Sequence, residues 1–311
     1  MASLKEIRKR IVSVKSTQKI TRAMKMVAGA RLNRAQLRIT ELRPYAVKTK
    51  QVLSEVTQQA RKNLAEVNEE ANAQALALDD DQHPLLDVRP ERSVMLVVLT
   101  SDRGLCGGFN TSICKLAEKQ WREREAKGQQ VKLMVVGRKG RDYFTRRKAP
   151  LEYIPDVWNN LDWSTSRVLA KTVLGHFLRS DAPVDAIYFV YNEFKSAMTQ
   201  DVVCEALLPV ANPTEKEAAN DEEHNVEFLF EPSKDGLLEQ LVPMYVQISI
   251  LRALFESMAS ELGARMTAMD AATNNAGDMI DRLTLKYNRA RQAAITTELM
   301  EIIGGSEALK G

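Results

Sequence analysis

The sequence contains few of the residues that usually carry catalysis or metal binding. It has three histidines and three cysteines (Cys106, Cys114 and Cys204) among 311 residues. The cysteines do not have the spacing of metal ligands, and their odd number does not complete a disulfide framework. We therefore expect reduced thiols in a cytoplasmic compartment, with no metal ion and no cofactor.

Long apolar runs are also missing. A membrane-spanning helix needs about 20 mainly apolar residues, and stretches such as Met95 to Leu99 are far shorter. The first residues, MASLKEIRKRI, contain charges where a secretion signal has an apolar segment, and they do not resemble a transit peptide. Aromatic residues make up only 6% of the chain, which fits slender helices better than a large core.

Acidic residues are scarce in the first fifty positions, where only Glu6 and Glu41 stand against fourteen lysines and arginines. This segment carries a charge of +12, although the whole chain carries +3. A helix this basic favours an acidic partner, which can be nucleic acid, anionic lipid or an acidic protein surface. A solvated helix face is the plainer interpretation, and the charge alone does not decide between them.

Both ends of the chain carry the three–four alternation of a coiled-coil seam. The positions of the first stripe are Leu4, Ile7, Ile11, Val14, Gln18, Thr21, Lys25, Ala28, Leu32, Ala35, Ile39 and Leu42. Those of the second stripe are Leu241, Ile248, Leu251, Phe255, Met258, Leu262, Met266 and Met269. Two stripes that cannot be buried alone predict one antiparallel pair of long helices, with a polar centre at Gln18, Thr21 and Lys25.

Strands alternate with helices between the two stripes. The strand segments are VMLVVL, VKLMVV, AIYFVYNEF and VVCEALLP. This order predicts a small, mostly parallel, Rossmann-like α/β domain. We place an N-terminal coiled-coil helix at 1–62, the α/β body at 63–235 and a C-terminal coiled-coil helix at 236–311. Pro44 should kink the first helix or mark a junction in it.

The turn SDRGLCGGFN follows the first predicted strand, where backbone amides can hold a phosphate. It lacks the glycine spacing of dinucleotide and P-loop motifs, and it lacks their lysine. A turn used for packing or partner contact is therefore favoured over a nucleotide site. His83, His176 and His224 lie in separate segments without a nucleophile or ligand partner, so the sequence shows no catalytic constellation.

Four segments together resemble the gamma subunit of the rotary F-type ATP synthase, in its bacterial form. They are TQKITRAMKMVAGARL, SDRGLCGGFN, ARMTAMDAATNNA and YNRARQAAITTELMEIIGG. Ser306 differs from the alanine that is usual in the family, and the change is from one small residue to another. The resemblance implies a central rotor shaft that couples ion-driven rotation of the c-ring to the three beta catalytic sites. It also implies that the chain has no active site of its own.

The resemblance assigns contact residues by position in this sequence. The residues that match contacts to the beta catch loop are Arg291, Gln292 and Thr296. Those that match the neck facing the acidic segment of beta are Met24, Lys25, Arg265 and, nearby, Cys106. The tip that turns in a hydrophobic sleeve corresponds to Ile295, Leu299, Ile302 and Ile303. The foot facing the c-ring corresponds to Phe228 and Glu231.

The implied partners are three alpha and three beta subunits, the epsilon subunit and the c-ring, without nucleic acid. The implied location is the cytoplasmic face of the bacterial inner membrane, reached peripherally through the complex. The cysteines do not form the regulatory pair of chloroplast gamma subunits, so we expect no thiol regulation. Two other hypotheses use the same residues: a nucleic-acid-binding coiled coil built on the basic helix, and a nucleotide enzyme built on SDRGLCGGFN.

Overall fold

The computed structural model of the chain describes residues 4–70, 83–179, 183–210 and 234–308. The helices are α1 (Leu4–Glu70), α2 (Phe109–Ala126), α3 (Arg138–Thr145), α4 (Trp163–Phe177) and α5 (Lys234–Ala308). The strands are β1 (Ser93–Leu99), β2 (Gln130–Val136), β3 (Leu151–Ile154), β4 (Ala186–Phe194) and β5 (Gln200–Leu208). The predicted class, long terminal helices plus a small α/β domain, is confirmed.

The chain forms two compact units, and α1 and α5 contribute to both. The first unit comprises Met1–Arg31 and Arg265–Gly311, and the second comprises Leu32–Ala264. The domain boundaries at 62 and 235 that we predicted from the sequence follow the expected ends of the two long helices. They stay a prediction.

In the first unit, the ends of α1 and α5 pack antiparallel. Lys25 forms an ion pair with Asp270, and the amide of Gln18 lies against Gly277, where an added Cβ would be 3.3 Å from Nε2. Residue numbers fall on α1 as they rise on α5, which is the antiparallel arrangement that the two stripes predict. The Thr21 hydroxyl, in the polar centre, donates to the Gln18 carbonyl at 3.1 Å. Polar seam groups also bond across the pair, because Gln18 Nε2 donates to the Thr273 carbonyl at 3.4 Å and the Thr273 hydroxyl donates to Thr21 Oγ1 at 2.8 Å.

The predicted seam of α1 describes its buried face well. Each of its twelve positions from Leu4 to Leu42 is buried or half-buried, while most residues between them are exposed. Pro44 does not end the helix, which continues to Glu70 rather than stopping in the low sixties. The proline lies on an exposed face, where water can bond the carbonyl that has lost its N–H partner.

The second unit contains a five-stranded sheet in the order β3-β2-β1-β4-β5. Strands β3, β2, β1 and β4 are parallel, and β5 is antiparallel to β4. Residues of β1 from Val94 to Leu99 are all buried, as expected for a parallel strand covered on both faces. The mostly parallel sheet predicted from the strand–helix alternation is therefore confirmed.

Side chains that alternate along β1 enter two different cores. Met95, Val97 and Leu99 belong to the core that contains residues of α4 and α5. The other core contains Val94, Leu96 and Val98 with residues of α2. Most buried residues of α5 in this unit therefore lie in the core without α2, while Ala264 packs against the core that contains α2.

Candidate partner-contact surfaces

The glycine-rich turn lies at the carboxyl end of β1, the position at which sheets of this kind often bind ligands. Its polar groups are bonded to one another. The Ser101 N–H donates to Asn110 Oδ1 at 2.9 Å, and Asn110 Nδ2 donates to Cys106 Sγ at 3.2 Å. The Ser101 hydroxyl donates to the Arg103 carbonyl at 2.6 Å. These bonds favour a role in packing over a phosphate cradle.

The cysteines have no arrangement that indicates reactive thiols. All three are reduced in the structure, and Cys106 is 2% exposed. Burial raises the pKa of the Cys114 thiol to about 12, so this side chain stays protonated, and a protonated thiol is a poor nucleophile. Among the described residues, no group of three or more His, Cys, Asp or Glu side chains is placed to hold a metal ion.

The described helices of the chain differ from membrane-spanning helices. None of those in the described ranges has both the length and the apolar content that crossing a membrane requires.

The basic residues of α1 form an exposed surface around its apolar seam. In the first compact unit, the exposed basic residues of α1 are Lys5, Arg8, Lys9, Arg10, Lys15, Lys19, Arg22 and Arg31. Lys25 differs from them because its ammonium pairs with Asp270 of α5. Sequence reasoning missed this partner, since nothing in the pattern of α1 indicates which acidic residue of a distant helix lies opposite.

The structure divides the four predicted neck residues between the two compact units. Met24, Lys25 and Arg265 belong to the first unit and are half-buried. Cys106 belongs to the second unit, where it is packed in the core beside α2. Its side chain serves the glycine-rich turn, through the bond from Asn110. The assignment of all four residues to a partner contact stays a prediction.

The C-terminal end of α5 exposes both of the residue sets predicted there. Arg291, Gln292 and Thr296 are exposed, and the Thr296 hydroxyl donates to the Gln292 carbonyl at 2.9 Å. The predicted apolar residues of the tip have large exposed fractions: Ile295 56%, Leu299 55%, Ile302 70% and Ile303 48%. An apolar surface of this kind indicates a site of protein contact.

Met300 extends the apolar tip and was missed by sequence reasoning. It is 63% exposed and lies next to Leu299 on α5. Its long, flexible thioether side chain suits a surface that meets changing neighbours. The sequence already indicated this residue, because Met300 is an apolar residue next to Leu299, between Glu298 and Glu301. The predicted foot residues, Phe228 and Glu231, lie outside the described residues.

We expect the Lys25–Asp270 pair to contribute little to stability. Both side chains are partly exposed, at 41% and 45%, and pairs in such positions contribute roughly 0.2–1 kcal/mol. Replacing Asp270 by asparagine should therefore lower the free energy of unfolding by less than about 1 kcal/mol, with a smaller effect at high salt. Urea unfolding at two salt concentrations measures this. Asp278→Asn, at an exposed acidic position of the same helix, is the control.

Comparisons with known proteins place the chain in a family. The family described as ATP synthase matches residues 3–309. The ATP synthase gamma chain of Sorangium cellulosum is 62% identical, and that of Geotalea daltonii is 47% identical, over 100% of each chain. A chain from the structure of the Tetrahymena thermophila mitochondrial ATP synthase central stalk and c-ring is 25% identical, with a TM-score of 0.55, over 81% of this chain and 99% of that one. The chain therefore belongs to the ATP synthase gamma-chain family.

Proposed function

We propose that the chain is the central rotor shaft of a bacterial F-type ATP synthase and is a subunit without an active site of its own. The observation that supports this most directly is full-length similarity to ATP synthase gamma chains, together with an antiparallel helix pair. In this role the chain couples rotation of the c-ring to the conformations of three beta catalytic sites, in synthesis or in hydrolysis of ATP.

The exposed end of α5 is the part that we assign to the catalytic ring. Arg291, Gln292 and Thr296 offer polar groups that can form and break hydrogen bonds to a beta loop as the shaft turns. The exposed apolar tip, which includes Ile295 and Leu299, would turn in an apolar sleeve formed by the surrounding subunits. Apolar contacts are non-directional, so such a sleeve can support the tip in many rotational positions.

The basic surface of α1 is the part that we assign to the acidic segment of beta. Exposed charges in water interact over about 8–10 Å at physiological salt, and they do not require one fixed geometry. This property suits a contact with a rotating partner. Met24, Lys25 and Arg265 lie in the same compact unit as the most basic part of α1, which supports their common assignment to this contact; the contribution of Cys106 would be indirect, through the turn that it packs.

We assign the remaining partners from the proteins that this chain resembles. The similar Tetrahymena chain comes from a structure of a central stalk with a c-ring, which supports a c-ring contact for this chain, with Phe228 and Glu231 on that side. The epsilon subunit would bind the α/β body. The bacterial relatives support a location on the cytoplasmic face of the inner membrane, held there peripherally by the complex.

Reconstitution tests the proposed function. We would mix the chain with matching alpha and beta subunits, measure the mass of the complex and assay ATP hydrolysis. One copy of the chain per three alpha–beta pairs, with hydrolysis stimulated above that of alpha and beta alone, is the expected result. If folded alpha and beta subunits form no complex with the chain, the rotor assignment is wrong.

The same material separates the two other hypotheses. A nucleotide enzyme should bind ATP at micromolar concentration as the purified chain, in the absence of alpha and beta. A nucleic-acid-binding protein should bind duplex DNA with an affinity that falls steeply as salt rises. We expect neither, because the glycine-rich turn bonds to itself, and because we assign the basic helix to an acidic protein surface.

A further inference from the structure

We propose that the β4–β5 edge of the sheet and residues 252–263 of α5 form a latch that prevents α5 from turning against the α/β body. The inference rests on the proposed function, since a shaft transmits torque only if it does not slip at its attachment. The latch has three parts, all within the second compact unit: a glycine seat, a buried hydroxyl bond and a chain of polar side chains.

The first part is the seat at Gly263. A Cβ added at this position would lie 3.1 Å from the Ala197 carbonyl oxygen and 3.3 Å from the Ala197 Cα. The turn between β4 and β5 therefore lies directly against the backbone of α5. Gln200 holds this turn in place, because its Nε2 donates to the Ala197 carbonyl at 3.0 Å and to the Ser196 carbonyl at 3.2 Å.

The seat limits rotation of the helix about its axis. Neighbouring residues on an α-helix are about 100° apart, at 3.6 residues per turn. A turn of that size would replace Gly263 by Leu262 or Ala264, and either would crowd Ala197, since a Cβ alone comes within 3.1 Å of its carbonyl oxygen. The close approach thus permits one rotational setting of α5 and opposes the adjacent ones.

The second part is a buried hydrogen bond one turn before the seat. The Ser260 hydroxyl donates to the backbone carbonyl of Asn192 in β4 at 2.9 Å, and Ser260 is completely buried. A buried bond of this kind is directional, unlike the apolar contacts around it. It joins α5 to the same strand whose end leads into the turn that meets Gly263.

The third part is a chain of polar side chains on the same stretch of α5. Arg252 Nε donates to Glu256 Oε1 at 3.0 Å, and its guanidinium lies 3.8 Å from Glu205 Oε2 in β5. Glu205 in turn accepts the Tyr191 hydroxyl from β4 at 2.8 Å. Burial, followed by the charge of Glu205, raises the pKa of Tyr191, so the phenol keeps the proton that it donates.

Together these contacts connect α5 to both strands of the antiparallel edge. Apolar packing elsewhere along α5 supplies affinity and opposes large rotations, because these would expose buried side chains such as Leu254. Non-directional contacts tolerate small slides and turns at lower cost. The glycine seat and the directional bonds oppose such movement. Ser260 and Gly263 are therefore positioning residues, which act on coupling through the rotational setting of α5. Arg252 adds little to this setting, because its guanidinium is 3.8 Å from Glu205 and both side chains are partly exposed.

The test compares coupling with turnover in the reconstituted membrane complex. We would measure ATP hydrolysis and ATP-driven proton pumping for Gly263→Val, Gly263→Ala and Ser260→Ala. We expect hydrolysis within about twofold of the parent and a ratio of pumping to hydrolysis that falls at least about fivefold for Gly263→Val. The ratio for Gly263→Ala should lie between those of the parent and Gly263→Val, because at 3.1 Å the neighbouring Ala197 must move by only a few tenths of an ångström.

The control is Gly175→Val in α4, where an added Cβ meets nothing within 4 Å. It introduces the same side chain into a helix without touching the latch, so its ratio should equal that of the parent. If Gly263→Val does not fold, Ser260→Ala decides the question, since it removes one bond and adds no bulk.

The latch is wrong if the ratio of pumping to hydrolysis stays parental in both Gly263→Val and Ser260→Ala. A fall of both activities by the same factor leaves that ratio parental, and it would indicate a structural role only. Failure of the proposed function is a different result, because the parent chain itself would then give no assembly and no stimulated hydrolysis.

Discussion

Replacement of Gly137 by alanine is expected to unfold the α/β body or to lower its free energy of unfolding by more than about 3 kcal/mol. Gly137 has φ +97°, a region that L side chains rarely adopt. A Cβ there would lie 2.0 Å from the Thr100 carbonyl oxygen, far inside contact distance. Strain and overlap therefore act together. Urea unfolding of the full chain, followed by circular dichroism, measures the loss.

The environment of Gly137 explains why the overlap cannot be relieved cheaply. The Thr100 hydroxyl donates to the Val136 carbonyl and accepts from the Gly140 N–H, both at 2.9 Å. The Thr100 carbonyl accepts from Trp158 Nε1 at 2.7 Å. Moving Thr100 away from a new side chain would stretch all three bonds at the end of β1, and each unsatisfied buried group costs roughly 1–3 kcal/mol.

Gly175→Ala provides the control for this prediction. Gly175 lies inside α4 with nothing within 4 Å of an added Cβ, so alanine should stabilise the helix by roughly 0.5–1 kcal/mol. We therefore expect alanine to lower the free energy of unfolding at Gly137 and to raise it at Gly175. Equal effects would mean that the close approach at Gly137 does not limit the stability of the body.

Substitution of Arg291 and Gln292 by alanine is expected to lower ATP turnover of the assembled complex by about 10-fold or more. The proposed contact uses hydrogen bonds from these side chains, and a bond to a charged group contributes about 1.5–3 kcal/mol. A loss of about 1.4 kcal/mol at the rate-limiting step corresponds to a tenfold slower rate. Both residues are exposed in the chain alone, so its folding should be unchanged. Steady-state hydrolysis measures the loss of turnover, and circular dichroism checks that the folding of the chain is unchanged.

The adjacent threonines supply a closely matched control. Thr296 and Thr297 are both exposed, and each donates its hydroxyl to the carbonyl four residues earlier at 2.9 Å. Alanine at either position removes the same local bond, but only Thr296 belongs to the proposed catch contact. Thr296→Ala should slow turnover, while Thr297→Ala should not. Equal slowing would attribute the effect to the helix rather than to the contact.

Periodicity made the terminal helices predictable. The three–four alternation from Leu4 to Leu42 depends only on helix geometry, and a helix buried on one side places mainly apolar or small residues at that interval, here with a polar centre at Gln18, Thr21 and Lys25. The apolar run of β1 was equally informative, because a strand covered on both faces excludes polar side chains. These patterns do not depend on which residues lie opposite.

Pairings between distant residues were not predictable in the same way. The Lys25–Asp270 ion pair and the bond from Ser260 to Asn192 each join segments far apart in the sequence. The partner in each case depends on the register between two elements, and many acidic or carbonyl groups could satisfy the same donor. The resemblance identified candidate contact residues at the tip, but it did not distinguish the buried Cys106 from the exposed Arg291.

The sequence by itself determined the long helical pair, the parallel strands and the family, because periodicity, apolar runs and extended motifs are properties of the chain in order. Only the tertiary structure decided how α5 is held by the β4–β5 edge. The seat at Gly263 and the bond from Ser260 depend on distances of about 3 Å, from an added Cβ to the Ala197 carbonyl oxygen and from the Ser260 hydroxyl to the Asn192 carbonyl oxygen. Such distances result from the packing of the whole body, and no local pattern of residues specifies them.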